Sequence, residues 1–257
     1  MTLLPSLWKY FIDGMPVYLV RHYWWAYLWR PAIWFFDHQP IINAILFGQY
    51  KKLLKQTMDC LKDRPAGEVL QLTCVYGCLT PTLVRQLNPQ PLHLIDVSMA
   101  QLLASRKRLM VSEQSRLRMM RMNAEKLALQ SDGFMTVIIF FLMHEMPEDA
   151  RHKALAETLR VLAPGGRLLI TEYGAEPRSH WIYRFWPLRF ILLKYEPFLQ
   201  GFWSENLTEV LVSQARLSGK AIKQIEEHNV FGGFYRVLVF EVELPKKTNI
   251  RINKNTL

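Results

Sequence analysis

The apolar positions of residues 62–244 fall into two alternating rhythms. Short, mostly apolar runs recur at 69–75 (VLQLTCV), 92–97 (LHLIDV), 116–122 (RLRMMRM), 135–141 (MTVIIFF) and 167–171 (RLLIT). Runs of this length predict strands, and an unbroken one such as 135–141 predicts a parallel strand covered on both faces. Between them, apolar residues at helical spacing predict helices over 81–87, 98–109, 148–162 and 207–217. Ser98 with Gln101 three residues on is a capping-box pattern, Leu102, Leu103 and Leu109 form the apolar side of that helix, and Arg106, Lys107 and Arg108 read as its solvated face. Pro164-Gly165-Gly166 reads as the stop of the 148–162 helix, and 220–226 with 233–242 as two closing strands. Strand and helix in alternation predict an α/β fold with a doubly wound, mostly parallel, Rossmann-like sheet.

Two stretches break the rhythm. Residues 1–61 carry Tyr18, Tyr23, Trp24, Trp25, Tyr27, Trp29, Trp34, Phe35 and Phe36 among Arg21, His22, Arg30 and Pro31, and are expected to form a helical aromatic cap facing substrate or membrane. Ile41, Ile42, Ile45, Leu46, Leu53 and Leu54 extend it as one helix containing Gly48 and Tyr50. Residues 174–204 form a second aromatic and basic insertion within the 62–244 domain, and 245–257 read as a basic, disordered tail. Neither aromatic stretch holds the ~18 uninterrupted apolar residues of a span, and the first does not resemble a signal peptide. Trp and Tyr mixed with Arg and Lys is the composition of a membrane interface. Packing of the same aromatics onto the core is the plainer reading.

The chain has 257 residues and a formal net charge of +10, which suits an anionic partner. The aromatic insertions favour an anionic membrane surface over nucleic acid. Three cysteines, Cys60, Cys74 and Cys78, supply no disulfide framework and point to a reducing compartment. Cys74 and Cys78 read as small buried residues, since no further ligand completes a zinc site.

The candidate chemistry lies at the ends of the strands. The first run enters a turn with one glycine, Gly77, and Asp96 closes the next strand nineteen positions later. A dinucleotide needs several glycines for its pyrophosphate. S-adenosylmethionine, which has no phosphate, needs only a close backbone approach and a carboxylate for its ribose. The turn at Cys74, Tyr76 and Gly77 is therefore expected to hold that cofactor, with Asp96 and Val97, Asn123 and Ala124, Phe141, and the hydroxyl of Tyr50. Tyr76, His144 and Glu145, at strand ends facing one cleft, are the candidate catalytic groups. The alternative is that His144 and Glu145 only brace the loop before Pro147. Tyr18, Trp25, Tyr173 and Trp203 are the aromatic candidates for substrate contact.

Taken in order, VLQLTCVYG, LHLIDVS, MNAEKLAL, FFLMHEMPEDAR and LRVLAPGGRLLITEYG resemble the class I S-adenosylmethionine-dependent methyltransferases. The CVYG turn, PVYLVRHYWWAYLWRP, FGQYKKL and EPFLQGFW are similar to its rhodoquinone-biosynthesis branch, with Cys78 departing from the acidic or amide residue expected after the glycine. The resemblance implies exchange of a ubiquinone ring methoxy for an amino group, with S-adenosylmethionine as amino donor and Mn2+ assisting. It also implies a peripheral place on the cytoplasmic face of a bacterial inner membrane, with a soluble cytoplasmic protein as second choice. Metal ligands and oligomeric state stay open. Two other functions remain: methylation of another apolar phenol, quinone or lipid, and non-catalytic binding of a membrane quinone.

Overall fold

The structure, a computed structural model, describes residues 14–244. The described residues begin with helices α1 (Val17–His22), α2 (Trp24–Tyr27), α3 (Arg30–Phe36), α4 (Gln39–Ile45) and α5 (Tyr50–Cys60). Then follow β1 (Val69–Leu72), α6 (Leu79–Gln86), β2 (Leu92–Asp96), α7 (Met99–Lys107), α8 (Val111–Gln114), β3 (Leu117–Arg121) and β4 (Phe134–Phe140). A 3-10 turn at Met143–Glu145 leads into α9 (Glu148–Val161) and β5 (Leu162–Tyr173). The described residues close with α10 (Trp181–Arg184), α11 (Trp186–Tyr195), α12 (Leu199–Ser204), α13 (Leu207–Leu217), β6 (Ile222–Val230) and β7 (Tyr235–Val242). The tail expected over 245–257 lies outside the described residues.

One seven-stranded sheet organises the fold, in the order β3-β2-β1-β4-β5-β7-β6. Strands β1 to β5 pair in parallel, and β7 inserts antiparallel between β5 and β6. The α/β, doubly wound, mostly parallel fold is as the sequence predicts. The strand order reverses between β1 and β4, and ligands of such sheets bind beyond the strand carboxyl ends at that switch. Both strands end there in a left-handed residue, Thr73 (φ 76) and Phe141 (φ 53). Neither is a glycine, so both hold strained backbone at the edge of the crevice.

Several expectations are corrected. The single helix predicted across Gly48 is two helices, because Phe47 and Gly48 both take positive φ and turn the chain between α4 and α5. The domain boundary drawn at 61/62 assigns α5 to the cap, but α5 packs on the sheet, where Thr57 Oγ1 lies 2.6 Å from Thr171 Oγ1 of β5. Pro164-Gly165-Gly166 lies inside β5, since α9 runs straight into that strand. Ser98 caps α7 through Gln101 N, but the Gln101 amide bonds the Tyr76 hydroxyl at 3.1 Å, so the reciprocal half of the capping box is missing. Leu103 faces solvent. Arg108 is not solvated: its side chain is 14% exposed and tied to Asp37.

That last pair belongs to a set of contacts stitching the cap over the β1 turn. Arg108 donates to the Val75 carbonyl at 3.1 Å and the Gly77 carbonyl at 2.7 Å, while Asp37 accepts from Gly77 N at 3.3 Å. Tyr50 Oη accepts from Cys78 N at 2.5 Å, and Gln39 Nε2 lies 2.8 Å from Cys78 Sγ. Gly77 sits at φ +88, and a Cβ there would collide with the Tyr50 hydroxyl and with its Cζ, which would lie 2.6 Å away. Glycine thus serves twice, for its left-handed backbone and for the space the cap uses. Gly77→Ala is expected to destabilise the protein by about 2–4 kcal/mol, from backbone strain and overpacking together. Urea unfolding checks this, and an unchanged midpoint would show that the latch is not under steric constraint.

Candidate active site

Beyond the strand ends lies one apolar cavity, roofed by the cap and floored by the β1–β4 crevice. It is lined by Tyr18, Tyr23, Trp25, Tyr27 and Phe36 from the cap and by Tyr173 and Tyr195 opposite. Of the expected cofactor residues, Tyr50, Cys74, Tyr76, Asp96, Val97, Asn123, Ala124 and Phe141 line it. Gly77 does not, because it turns away beneath Tyr50. Of the expected substrate residues, Tyr18, Trp25 and Tyr173 line it, whereas Trp203 lies behind, packed edge-on against Tyr173 and Tyr183.

Asp96 is 7% exposed, and its carboxylate already accepts from Cys74 N at 2.8 Å and Ser98 N at 2.6 Å. Burial raises its pKa to about 6, despite those backbone donors. A carboxylate offers about four lone-pair sites, so acceptor capacity remains for two ribose hydroxyls. Tyr76 stacks on Tyr27 with centroids 5.8 Å apart and bonds the Ala26 carbonyl through its hydroxyl.

Two of the three candidate catalytic groups, His144 and Glu145, meet at one corner, while Tyr76 lines the cavity wall beside Tyr27. His144 is 4% exposed, and its Nδ1 makes an ion-pair contact of 2.7 Å with Glu172 Oε1. Its Nε2 points the other way, 3.7 Å from Glu196 Oε2. Glu145 bonds the Tyr27 hydroxyl, and Glu196 accepts from the Tyr23 hydroxyl at 3.0 Å. Burial acts to lower the His144 pKa, but the carboxylates of Glu172, Glu196 and Glu145 outweigh it and raise it to about 9. Burial raises Glu145 as well. The corner therefore holds protons at neutral pH and can both donate and accept them.

Sequence reasoning missed Glu172, Glu196, Tyr23 and Tyr27. Glu172 ends a strand beside Tyr173, the position at which a strand delivers side chains to the crevice. Glu196 sits in an insertion whose composition advertises only aromatics and arginines.

The profile of the ubiE/COQ5 methyltransferase family matches residues 37–190, more than half of the chain. The chain belongs to the ubiE/COQ5 methyltransferase family. Its class I S-adenosylmethionine-dependent fold is the one the sheet displays. A ubiquinone/menaquinone biosynthesis C-methyltransferase UbiE from Vibrio campbellii is 33% identical over 137 residues, 52% of each chain. The enzyme of that name from Ectopseudomonas mendocina is 25% identical over 206 residues, 75% of this chain and 80% of the other. The chain thus spans about half the length of the first of these relatives. The N-methyltransferase NodS from Bradyrhizobium japonicum shares the fold at a TM-score of 0.51 and 13% identity, over 75% of this chain and 96% of that one.

Asp96 lines the cavity at the end of β2, where the sequence reading expects the ribose. Losing its charge-assisted bonds costs about 1.5–3 kcal/mol each, so Asp96→Ala is expected to weaken S-adenosylmethionine binding tenfold or more. The ionised form is the better acceptor, so wild-type affinity should rise as pH climbs through about 6 and then level off. Calorimetry across that range checks both. Unchanged affinity in the folded variant would remove Asp96 from the cofactor site.

Proposed function

We propose that the chain is an S-adenosylmethionine-using enzyme that modifies the ring of a ubiquinone-like lipid, exchanging a ring methoxy for an amino group. One observation carries this reading: a buried corner of one histidine and three carboxylates opens onto a cavity walled by aromatic rings. The walls suit a flat apolar ring, and the corner suits a reaction that moves several protons. In the exchange the donor nitrogen adds to the ring carbon, loses a proton and expels methoxide, which takes up a proton and leaves as methanol; loss of the donor's Cα proton then passes two electrons into the quinone ring, and water splits the resulting N=Cα bond, leaving the aminated ring as its hydroquinone and the donor as a 2-oxo acid. His144, protonated at neutral pH, stands to donate to the quinone carbonyl oxygen and later to the leaving methoxide. A corner carboxylate takes the proton from nitrogen. Tyr76 and Tyr27 form a stacked wall against which the ring can lie. A divalent cation held by His144, Glu145 and Glu196 would instead polarise the carbonyl as a Lewis acid, in place of the His144 proton.

C-methylation of a quinone precursor is the second reading, favoured by the family and by what its relatives are called. It needs one proton removed from the ring and no leaving group beyond the spent cofactor. The CVYG turn and the proton-rich corner favour the exchange. Incubation with S-adenosylmethionine, Mn2+ and a ubiquinone, followed by mass analysis, distinguishes the two. The exchange predicts a quinone that has lost methoxy and gained nitrogen, and an added methyl or an unchanged quinone counts against it. Tyr76→Phe, His144→Ala and Glu145→Gln should each cut turnover about a hundredfold or more if they act in proton transfer, with cofactor binding retained.

The substrate class implies a membrane, and the surface fits one. Trp29, Trp34, Trp181, Trp186 and Phe190 are each more than half exposed, and α11 buries none of its residues. Arg30, Arg184 and Lys194 are exposed beside them. Tyr195, at the end of α11, lines the cavity and touches Trp25, so the greasy helix borders its mouth. No described helix is long and apolar enough to cross a bilayer. The reading is peripheral attachment to an anionic surface, such as the cytoplasmic face of a bacterial inner membrane. Flotation with anionic liposomes at low salt should recover the protein, and raised salt should release part of it. Protein left at the bottom of the gradient would assign these aromatics to another role.

A further inference from the structure

Cys60, the last residue of α5, meets two side chains of the edge strand β6, Glu226 and His228, and the ligand atoms of all three lie within 4.8 Å of one another. We propose that they form a zinc site, with Cys60 Sγ, one carboxylate oxygen of Glu226 and His228 Nε2 as the protein ligands. None of the three lines the cavity, and the site is independent of what reacts there.

An irregularity in β6 brings the ligands together. Gln224 pairs with Phe240 of β7, but Glu226 pairs with Val239, so Ile225 is an extra residue. Without it, the two-residue period of a strand would place Gln224, Glu226 and His228 on one face. The bulge separates them, as bulges that re-aim side chains do. Gln224 turns to α13, where its Oε1 accepts from Thr208 Oγ1 at 2.8 Å. His228 pairs with Val237, which pairs with Thr171, and Thr171 lies against Thr57 of α5. Glu226 and His228 therefore face α5, beside Cys60.

The distances suit one ion. Glu226 Oε2 lies 3.9 Å from Cys60 Sγ and 2.9 Å from His228 Nε2. Zinc bonds of about 2.3 Å to sulfur and about 2.0–2.2 Å to nitrogen and oxygen put tetrahedral ligands about 3.3–3.6 Å apart, between those two values. Cys60 is buried and fixed by the helix, while the Glu226 and His228 side chains are 41% and 39% exposed and have room to adjust. Water reaches the fourth position from that side. Gln56, one turn before Cys60, brings its amide to 3.9 Å from the sulfur. Thiolate, imidazole and carboxylate together suit Zn2+ rather than Mg2+ or Ca2+. Once the thiol has released its proton, two negative ligands balance the dication. The other two clusters of this kind among the described residues, at His144, Glu145 and Glu196 and at Glu148, His152 and Glu205, offer no thiolate. In the last, Glu205 is also paired with Arg151 at 2.8 Å. The ion pins the end of α5 to β6, as the Tyr50 hydroxyl pins the start of that helix to the β1 turn.

Co2+, a spectroscopic stand-in for Zn2+, tests the site in the full-length protein kept reduced with a phosphine. One equivalent should give a thiolate-to-cobalt charge-transfer band in the near ultraviolet, and Zn2+ should displace it. Cys60→Ser should abolish the band, and Glu226→Gln and His228→Ala should each weaken Co2+ binding about tenfold or more, since each removes one of three ligands. Cys78→Ser and Glu148→Gln should leave the titration unchanged. Glu226 and His228 are surface side chains, so their variants decide the matter even if Cys60→Ser does not fold. The proposal is overturned if the folded wild-type protein shows no thiolate band, or if the band survives Cys60→Ser. A titration that either Glu226→Gln or His228→Ala leaves unmoved overturns it as well. No readout here depends on the quinone reaction.

Discussion

The carboxylate of Glu172 ties the active corner together. It ends β5 fully buried, accepts from backbone N–H groups on both sides of the crevice, and faces the His144 ring. Through it the loop after β4 is anchored to the end of β5. That anchoring sets His144, and next to it Glu145, toward the cap. The cap answers with Tyr27 on Glu145 and Tyr23 on Glu196. A buried charge with that many partners makes alternative loop conformations expensive, because each would strand a carboxylate in apolar surroundings.

The second constraint is the latch over the β1 turn. A family member with a single glycine in this turn has few free backbone donors to offer a ligand. Here two of them are already engaged, Gly77 N by Asp37 and Cys78 N by Tyr50. On the proposed reading the cofactor is recognised elsewhere along the crevice, where Asp96 and the loops after β3 and β4 line the cavity. The strained backbone of Thr73 and Phe141 marks the same edge. Cap, turn and cofactor site are therefore one mechanical unit, and the cap helices are as much part of the site as the strands.

Much of this was legible in the sequence. Parallel strands such as 135–141 declare themselves, since both of their faces must be apolar, and strand ends in such sheets point to one edge. Eight of the nine expected cofactor residues and all three catalytic candidates line a single cavity for that reason. What was not legible arises from long-range pairing. Arg108 looks like a solvated helix residue until Asp37, seventy-one positions earlier, reaches it. Glu196 is one acid within an aromatic insertion until α11 brings it opposite His144. Residues 164–166 illustrate a local rule overridden, because β5 pairs with β4 at Leu162 and again from Arg167, so the Pro-Gly-Gly sequence is bridged as an irregularity within the strand.

The central claim is that the quinone ring lies in this cavity, between the stacked Tyr27–Tyr76 wall and the His144 corner. Photo-crosslinking with a ring-azido ubiquinone analogue, followed by peptide mapping, addresses it most directly. The account predicts labels on residues 18–27 and 141–146, displaced by unlabelled ubiquinone. Labels confined to the exposed face of α11 or to the far side of the sheet, with none in those two segments, would contradict it.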